Sequence, residues 1–395
     1  MADWQAKEKK YYVQLLNRVP VTLVKGEGAR VWDDTGKSYL DFVAGWAVDC
    51  LGHSHPVITE AITTQARMLL QTSNQFFTVP QVELAELLVK NSCFDRVWFG
   101  STGLEANEAA VKLARRYGAL HLKGAYEVIT ASNSFHGRSL AMTAATGQDK
   151  FHKPYEPLPD WFQSVPFNDL AALQAATSPK TCAIMLEPVQ GEGGVNVPDT
   201  GYLKAVREWC TTKGILLIFD EIQTGVCRLG PLWGYQVSGV EPDIMTLAKG
   251  LGGGVPIGAM LSKEACTVWA FGEHGSTFGG NPLTCAVGVA VIDHVIAHDF
   301  PKRVKEISEY LFGKLNTLKQ DFPFITEVRG MGLLAAIAFD SDISADVLKA
   351  CLEKGLLVNA VKPNAIRLMP PLIITREHVD EAMSILREVF SGRKP

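Results

Sequence analysis

The segment Gly214-Ile-Leu-Leu-Ile-Phe-Asp220-Glu-Ile-Gln223 decides the fold. Its five consecutive apolar residues predict a central strand that is buried on both faces, and the acidic Asp220 follows directly. In open α/β sheets, ligands bind in the crevice beyond the carboxyl ends of the strands, so this segment places Asp220 at the edge of a ligand site. A buried carboxylate is costly unless it faces a cation, which predicts a positively charged group close to Asp220.

Similar apolar runs recur along the middle of the chain and are separated by segments of helical length. Helical spacing of apolar residues covers 81–91 and 105–122. Further buried strands are predicted at 96–99, 126–131, 182–186 and 257–261. This alternation predicts an α/β fold with a mostly parallel sheet and helices on both faces.

The two ends of the chain have a different character from the middle. Hairpin-like patterns around Asp34-Thr-Gly36 mark the first residues, and an amphipathic helix at 301–318 precedes several short β-rich runs. We therefore predict that residues 1–55 and 291–395 form one small mixed α/β domain beside a large domain, 56–290. The cleft between the two domains is the expected binding site.

Composition excludes several classes of function. The 38 basic and 42 acidic residues give a net charge of −4, so no basic field is available for nucleic acid. The charged N-terminus does not resemble a signal peptide, and the apolar stretch 283–297 is too short for a membrane span and predicts a buried helix. Eight scattered cysteines without a CxxC pair predict reduced thiols in a cytoplasmic protein. His53-Ser54-His55 is interpreted as a structural turn, and no metal site is expected.

A second decisive segment is Asp243-Ile-Met-Thr-Leu-Ala-Lys249-Gly-Leu-Gly-Gly-Gly254, in which a lysine stands between an apolar run and a glycine-rich turn. Burial lowers the pKa of a lysine and suits its amine to Schiff-base chemistry. A glycine turn before the helix at 105–122 directs the amides of Gly103 and Leu104 towards an anion.

Taken singly, these three features have ordinary structural explanations: a helix cap, a charge at a helix C-terminus and a capped helix start. Together they predict pyridoxal 5'-phosphate, which needs a lysine for its aldehyde, an acid for its ring nitrogen and an anion site for its phosphate. The sequence contains no GxGxxG or GxxxxGK(S/T) motif, which argues against a nicotinamide or Walker-type nucleotide site.

Seven motifs in order along the chain resemble those of the class III, or ω-, aminotransferases, which have the aspartate-aminotransferase fold (fold type I). Within that family the resemblance is greatest to the acetylornithine group. The motifs are Thr102-Gly-Leu-Glu-Ala-Asn-Glu108, Ser134-Phe-His-Gly-Arg-Ser139, Glu187-Pro-Val-Gln-Gly-Glu-Gly-Gly194, Asp220-Glu-Ile-Gln-Thr-Gly225, Ala248-Lys-Gly250, Gly275-Ser-Thr-Phe-Gly-Gly-Asn-Pro282 and Arg367-Leu-Met-Pro-Pro-Leu372.

The resemblance implies a role for each matching residue. Lys249 holds the cofactor aldehyde and shuttles the proton, and Asp220 pairs with the ring nitrogen. The other expected cofactor contacts are Gln223 at the ring hydroxyl, Phe135 on the ring face, Thr102, Gly103 and Leu104 at the phosphate, and Thr277 contributed by the partner subunit of an obligatory homodimer.

Substrate recognition is likewise implied by the resemblance. Arg367 is expected to bind the α-carboxylate of glutamate or 2-oxoglutarate, and Arg138 the distal carboxylate of that pair and the α-carboxylate of an ω-amino donor. Glu192 is expected to pair with Arg367 whenever the donor leaves that arginine without a carboxylate. Ser276 is expected to touch substrate.

Three positions depart from the family pattern near the expected pocket. Leu104 replaces a small or hydroxylated residue, and Trp46 and Asp49 stand in Gly45-Trp-Ala-Val-Asp49 where Gly-Ile-Ala-Val-Asn is usual. Family members that act on free ornithine carry a tyrosine at the position of Gly45. The absence of this tyrosine favours a donor without a free α-amine.

These observations predict transfer of the δ-amino group of N2-acetylornithine to 2-oxoglutarate in arginine biosynthesis. Succinylornithine, N-acyl-lysine, ornithine and 4-aminobutyrate remain alternative donors within the family. Two other classes remain open: an aminomutase on the same fold, which needs no external 2-oxoglutarate, and a cofactor-free binding protein, which would purify colourless.

Overall fold

A computed structural model describes residues 3–392 of the chain. The helices are α1 (Trp4–Tyr11), α2 (Ala44–Ala47), α3 (Pro56–Ala66), α4 (Val79–Lys90), α5 (Gly103–His121), α6 (Leu140–Ala145), α7 (Asp149–His152), α8 (Leu170–Ala176), α9 (Tyr202–Lys213), α10 (Tyr235–Ser238), α11 (Pro282–Ala297), α12 (Phe300–Asp321), α13 (Ser344–Glu353) and α14 (Arg376–Ser391). The strands are β1 (Leu23–Glu27), β2 (Arg30–Asp33), β3 (Ser38–Asp41), β4 (Arg96–Gly100), β5 (Glu127–Ala131), β6 (Phe162–Val165), β7 (Thr181–Leu186), β8 (Leu216–Asp220), β9 (Ile244–Leu247), β10 (Gly258–Ser262), β11 (Ile325–Met331), β12 (Leu334–Phe339), β13 (Leu356–Leu357), β14 (Asn359–Lys362) and β15 (Ala365–Leu368).

A seven-stranded sheet with the order β4-β10-β9-β8-β7-β5-β6 forms the centre of the molecule. The strand β8 lies in the middle, parallel to β7 and β9, and all of its residues are buried because both faces are covered. Only β10 runs antiparallel to its neighbours β4 and β9. The predicted α/β class with a mostly parallel sheet is confirmed, whereas β6 and β9 were not predicted as strands.

Helices cover the faces of this sheet through their apolar sides. The helix α5 packs across β7, β9 and β10, and it buries eight residues along one side. The predicted buried helix is α11, which packs on α3 and α4. Across residues 3–392, no single helix is both long and apolar enough to cross a membrane. Together α11 and α12 meet that length and composition test, but they are joined at a bend of 69°.

The two chain ends meet in smaller sheets. The antiparallel strands β1, β2 and β3 continue into β13 of the C-terminal region, which pairs in parallel with β3. A second sheet, in the order β11-β12-β15-β14, is covered by α12, α13 and α14. The division at residues 55 and 290 stays a prediction, and the β3–β13 pairing supports grouping the first segment with the last.

The contact between β10 and the start of α5 gives a test of packing. A Cβ atom at Gly258 would lie 2.1 Å from the carbonyl oxygen of Thr102, so Gly258→Ala must push rigid backbone apart. We expect a loss of about 1–3 kcal/mol in the free energy of unfolding, measured by urea denaturation. The control is Gly313→Ala in α12, where a Cβ meets open space, which should stabilise the protein by about 0.5–1 kcal/mol. Equal effects of the two substitutions would contradict this packing.

Candidate active site

A cavity of about 490 Å³ lies at the carboxyl ends of β8 and β9. Asp220, the last residue of β8, and Lys249, which follows β9, both line it. The N-terminus of α5 forms another part of its wall. The structure thus brings together the acid, the lysine and the helix start that the sequence singled out, at the edge of the sheet where open α/β folds bind ligands.

The Asp220 carboxylate is buried and held by three hydrogen-bonding partners. Its Oδ2 accepts from Asn107 Nδ2 at 2.8 Å and lies 2.8 Å from His136 Nδ1, and its Oδ1 accepts from the amide of Ile222 at 3.0 Å. Asn107 is in turn fixed by Thr246, whose hydroxyl donates to Asn107 Oδ1 at 2.7 Å. These contacts fix the direction in which the carboxylate faces.

Sequence reasoning assigned no role to Asn107 or His136, although both stand in quoted motifs. Asn107 follows Gly103 by one helical turn on α5, and both it and His136 are almost completely inaccessible to solvent. A polar side chain on the buried side of a helix requires a polar partner. That rule could have drawn attention to Asn107 before the structure was seen.

Lys249 has an unusual backbone conformation and an altered amine. Its φ of 40° is left-handed, a conformation that is rare for a residue with a side chain and is common at functional sites. Burial lowers the pKa of its amine, although Glu192 and Asp220 partly oppose the effect. A larger fraction of neutral amine makes Lys249 a better nucleophile and base at neutral pH.

The start of α5 is capped in a way that leaves two amides for a ligand. The carboxylate of Glu105 accepts from the amides of Ser101 and Thr102, and the Thr102 hydroxyl accepts from the amide of Glu105 at 3.3 Å. The next amides, those of Gly103 and Leu104, face the cavity and have no acceptor within the described part of the chain. This is the geometry of an anion site at a helix N-terminus.

Phe135 and Arg138 also line the cavity. The amide of Phe135 donates to Glu187 Oε1 at 3.0 Å, and burial raises the pKa of Glu187 to about 7. The guanidinium of Arg138 stacks on Phe151, 4.6 Å from the ring centre. Between residues 3 and 392 no carboxylate pairs with Arg138, so its charge is available to an anionic ligand.

Arg367 is completely buried and paired with Glu192. Its Nη2 lies 2.9 Å from Glu192 Oε1, and Asn359 Oδ1 accepts from the same guanidinium at 2.9 Å. Gln223 bridges the pair: its Nε2 lies 3.3 Å from Glu192, and its Oε1 accepts from Arg367 at 3.1 Å. Burial alone would raise the pKa of Glu192, but Arg367 and Lys249 outweigh it and hold the pKa below its ordinary value.

The cavity lining of this chain does not include the singled-out residues Arg367, Asp49, Ser276, Thr277 and Trp46. Arg367 is linked to the cavity through Glu192, which does line it. Ser276 lies behind the start of α5, where its hydroxyl contacts Glu105 Oε1 at 3.3 Å. Thr277 is exposed and its carbonyl accepts from Gln71. Trp46 is 49% exposed and is not part of the cavity wall, to which the nearby Val48 contributes instead. Ser276 and Trp46 therefore do not contact a ligand in this chain's own cavity.

Among the described residues, no group of three or more His, Cys, Asp or Glu side chains could hold a metal ion. His53 and His55 have other contacts: His53 lies 2.8 Å from Asp41, and the ring of His55 accepts from the amide of Val57 at the start of α3.

Comparisons with known proteins agree on one family. The model of the class III aminotransferases matches residues 12–390. The acetylornithine aminotransferase of Caldanaerobacter subterraneus is 49% identical over 97% of this chain and 98% of its own. Among solved structures, the ornithine aminotransferase of Toxoplasma gondii matches with a TM-score of 0.94 and 36% identity, over 98% of this chain and 93% of that one. The acetylornithine aminotransferase of Elizabethkingia anophelis matches with a TM-score of 0.88 and 34% identity, over 99% of this chain and 98% of that one.

The ion pair between Glu192 and Arg367 gives a test that needs no ligand. Glu192→Gln leaves a buried guanidinium without its counter-charge, so we expect the cofactor-free protein to lose roughly 1–3 kcal/mol at pH 7 in urea denaturation. Because the pKa of Glu192 is lowered on folding, its contribution is present above pH 4.5 and is lost as the pH falls further. The difference between the two proteins should therefore narrow below pH 4.5.

A matched control is Glu327→Gln. The Glu327 side chain is 54% exposed and pairs with Arg329, so this substitution breaks an exposed ion pair. Exposed ion pairs contribute about 0.2–1 kcal/mol. If Glu192→Gln lowered the free energy of unfolding by no more than this control does, the buried pair would not stabilise the protein in the way the structure implies.

Proposed function

Because the chain belongs to the class III aminotransferases, we propose that it moves the δ-amino group of N2-acetylornithine to 2-oxoglutarate, giving the semialdehyde and glutamate. The observation that carries this proposal is the cavity lined by Asp220, Lys249, the α5 N-terminus and Glu192, which pairs with the buried Arg367. The name of the 49% identical relative supports the choice of donor. A cytoplasmic setting in arginine biosynthesis is the corresponding cellular role.

Pyridoxal 5'-phosphate is the cofactor of this family, and the residues of the cavity fit it. The two free amides of Gly103 and Leu104, with Thr102 beside them, would hold the phosphate. The fixed carboxylate of Asp220 would hold the protonated ring nitrogen, and Phe135 would lie against the ring. When bound, the cofactor supplies an aldehyde that carries the amino group and a ring that withdraws electrons from the substrate carbon.

The proton transfers of the reaction are assigned to Lys249. Its amine would first hold the cofactor aldehyde and, once displaced by the substrate amine, would take a proton from the substrate carbon and deliver it to the cofactor carbon that carried the aldehyde. Burial favours the neutral form that this role needs, because it lowers the pKa of Lys249. The three carboxylates that oppose the effect, those of Glu192, Asp220 and Glu187, keep the protonated form accessible as well.

Two substrates that differ in charge use the same cavity in turn. Glu192 compensates for this difference by pairing with Arg367 whenever the substrate has no carboxylate for it. With an ω-amino donor bound, Arg367 meets no substrate carboxylate and keeps its pairing with Glu192. With glutamate or 2-oxoglutarate bound, the α-carboxylate replaces Glu192, so the buried guanidinium is never left unpaired. Arg138, whose charge is free, holds the other carboxylate of the acceptor or the carboxylate of the donor.

Gln223 is proposed to take part in this exchange as well as to contact the ring hydroxyl. In the paired state its amide lies between Glu192 and Arg367. Movement of Glu192 away from Arg367 frees the Gln223 amide at the moment when the acceptor binds.

A homodimer that shares its active sites is the proposed assembly. Large apolar side chains are exposed in three places: Phe271, six residues before Thr277, is fully exposed, Phe77, just before α4, is 98% exposed, and Met68, just after α3, is 73% exposed. Apolar patches of this kind mark protein–protein interfaces. A partner subunit covering this surface would bring its own Thr277 to the phosphate of the neighbouring site.

Turnover with a panel of donors tests the proposed function. With 2-oxoglutarate as acceptor, kcat/KM should be highest for N2-acetylornithine among acetylornithine, succinylornithine, ornithine, N-acyl-lysine and 4-aminobutyrate. Purified protein should be yellow, and borohydride should attach the cofactor to the peptide that contains Lys249. The control is the Lys249→Ala variant. It should take up no label and should keep no more than about 0.1% of the activity of the native protein.

Two outcomes would overturn the proposal. If no glutamate appeared when 2-oxoglutarate was supplied, the result would favour an aminomutase. Protein that stays colourless and unlabelled after addition of the cofactor would leave a binding role.

Replacement of Glu192 tests the exchange at Arg367 separately. Glu192→Ala removes the partner that the donor complex needs and the competitor that glutamate must displace. The ratio of kcat/KM for glutamate to kcat/KM for acetylornithine should therefore rise by about tenfold or more, since 1.4 kcal/mol corresponds to tenfold. Glu327→Ala serves as the control, and an unchanged ratio in Glu192→Ala would refute the exchange.

A further inference from the structure

A strained turn forms part of the cavity wall. In α2, the residues from Ala44 to Ala47 have φ values of 47°, 61°, 62° and 67° in succession, and three of these residues are not glycine. The left-handed conformation costs each of them roughly 1–2 kcal/mol. Val48, directly after this turn, lines the cavity. The strain must therefore be opposed by contacts that hold the turn in place.

Asp41 and His53 provide those contacts from the two sides of the turn. Asp41 Oδ1 accepts from the amides of Val43 and Ala44 at 2.8 and 2.9 Å, so it fixes the entry to the turn. Its other oxygen lies 2.8 Å from His53 Nε2. His53 is itself anchored to Gly28 by backbone hydrogen bonds in both directions, of 2.8 and 3.0 Å. The imidazole thus links the turn to the N-terminal strands.

Asp49 approaches the other nitrogen of the same imidazole. Its Oδ2 lies 3.9 Å from His53 Nδ1, and a Cβ atom placed on Gly45 would be only 2.9 Å from that oxygen. Its Oδ1 lies 3.2 Å from the Cβ position of Gly254, and Gly254 lines the cavity in the loop after Lys249. The carboxylate therefore stands between the strained turn and the glycine-rich loop, two separate parts of the cavity wall.

We propose that His53 and Asp49 are positioning residues that hold the Val48–Gly254 wall of the substrate cavity in place only while His53 is protonated. A protonated imidazole donates to Asp41 at 2.8 Å and attracts the Asp49 carboxylate, whose Oδ2 lies 3.9 Å from Nδ1. A neutral imidazole that donates to Asp41 turns a lone pair towards the Asp49 carboxylate, which repels it. The family resemblance has asparagine at position 49, and an asparagine amide can donate to that lone pair. The aspartate therefore makes this chain's wall depend on pH.

The charged groups around the imidazole are few. Asp41 from β3 and Asp49 face it directly, β1 contributes only Gly26, and the thiol of Cys50, near Asp49, stays neutral because burial raises its pKa to about 12. The hydrogen bond with Asp41 raises the pKa of His53 above 6.5, and burial raises the pKa of Asp49. The contribution of protonated His53 is thus fully present below pH 6.5 and is lost as the pH rises through its raised value.

Steady-state kinetics of the loaded enzyme test the proposal against Asp49→Asn, and this readout rests on the proposed function. At pH 6 the KM values for donor and acceptor should be the same in the two proteins. At pH 9 the KM values of the native protein should exceed those of Asp49→Asn by about three- to tenfold, as expected for loss of one partly buried charged contact. The kcat ratio should stay constant with pH, because no catalytic group is altered. His53→Gln, which cannot be charged, should show the high-pH KM values at every pH.

A titration followed by NMR of protein labelled at its histidines tests the proposal without using activity. The His53 signal is identified by its loss in His53→Gln, with His121→Gln, a change at an exposed residue at the end of α5, as the matched control. In the native protein the His53 pKa should lie above 6.5, and in Asp49→Asn it should fall. A constant KM ratio over the pH range, or a His53 pKa that Asp49→Asn leaves unchanged, would overturn the proposal. The NMR result does not depend on the reaction. An inactive enzyme would therefore refute the proposed function and leave the proposal about His53 and Asp49 to be decided by the titration.

Discussion

The Asp220 carboxylate lies at the carboxyl end of the central strand β8, with only 3% of its surface exposed. A negative charge in such a position is stable only if polar groups surround it and a cation can face it. Asn107, His136 and the amide of Ile222 supply the polar groups, and they come from α5, the loop after β5 and the segment that follows β8. These contacts fix the carboxylate in the cavity wall, where in the proposed function it would hold the protonated nitrogen of the bound ring.

The same physical rule applies with the opposite sign to Arg367. It is a fully buried cation, and Glu192, which lines the cavity, neutralises it at 2.9 Å. In the proposed exchange, a substrate carboxylate would replace Glu192 without leaving this cation unpaired, so one site would accept two substrates in turn without a second pocket. Selectivity would then depend on charges that exchange partners, and the hydrophobic sheet beneath them would provide the rigid support.

The sequence predicted the elements that local pattern determines. The apolar run before Asp220 could only be a buried strand, and the glycines around Lys249 and before α5 marked the turns that form the cavity. It did not predict β6 and β9, because four-residue strands leave little periodic signal, nor the antiparallel direction of β10, which depends on the path of the connecting loops. The support of Asp220 also escaped prediction, because Asn107, His136 and Thr246 are far apart in the sequence and meet only through the sheet. Thr277 stands outside its own cavity, and its predicted role needs a second chain that one sequence does not describe.

The parallel pairing of β13 with β3 has a consequence for how the protein is made. Lys37, just before β3, donates to the carbonyl of Glu353, 316 residues further along the chain. During synthesis the first strands leave the ribosome long before their neighbour exists, so their edge remains unpaired while the whole central sheet is translated. Completion of this small sheet, and with it the fixing of the turn that follows β3, must be among the last events of folding. A ribosome that stalls late would release a chain with an intact central sheet and an unfinished entrance to its cavity.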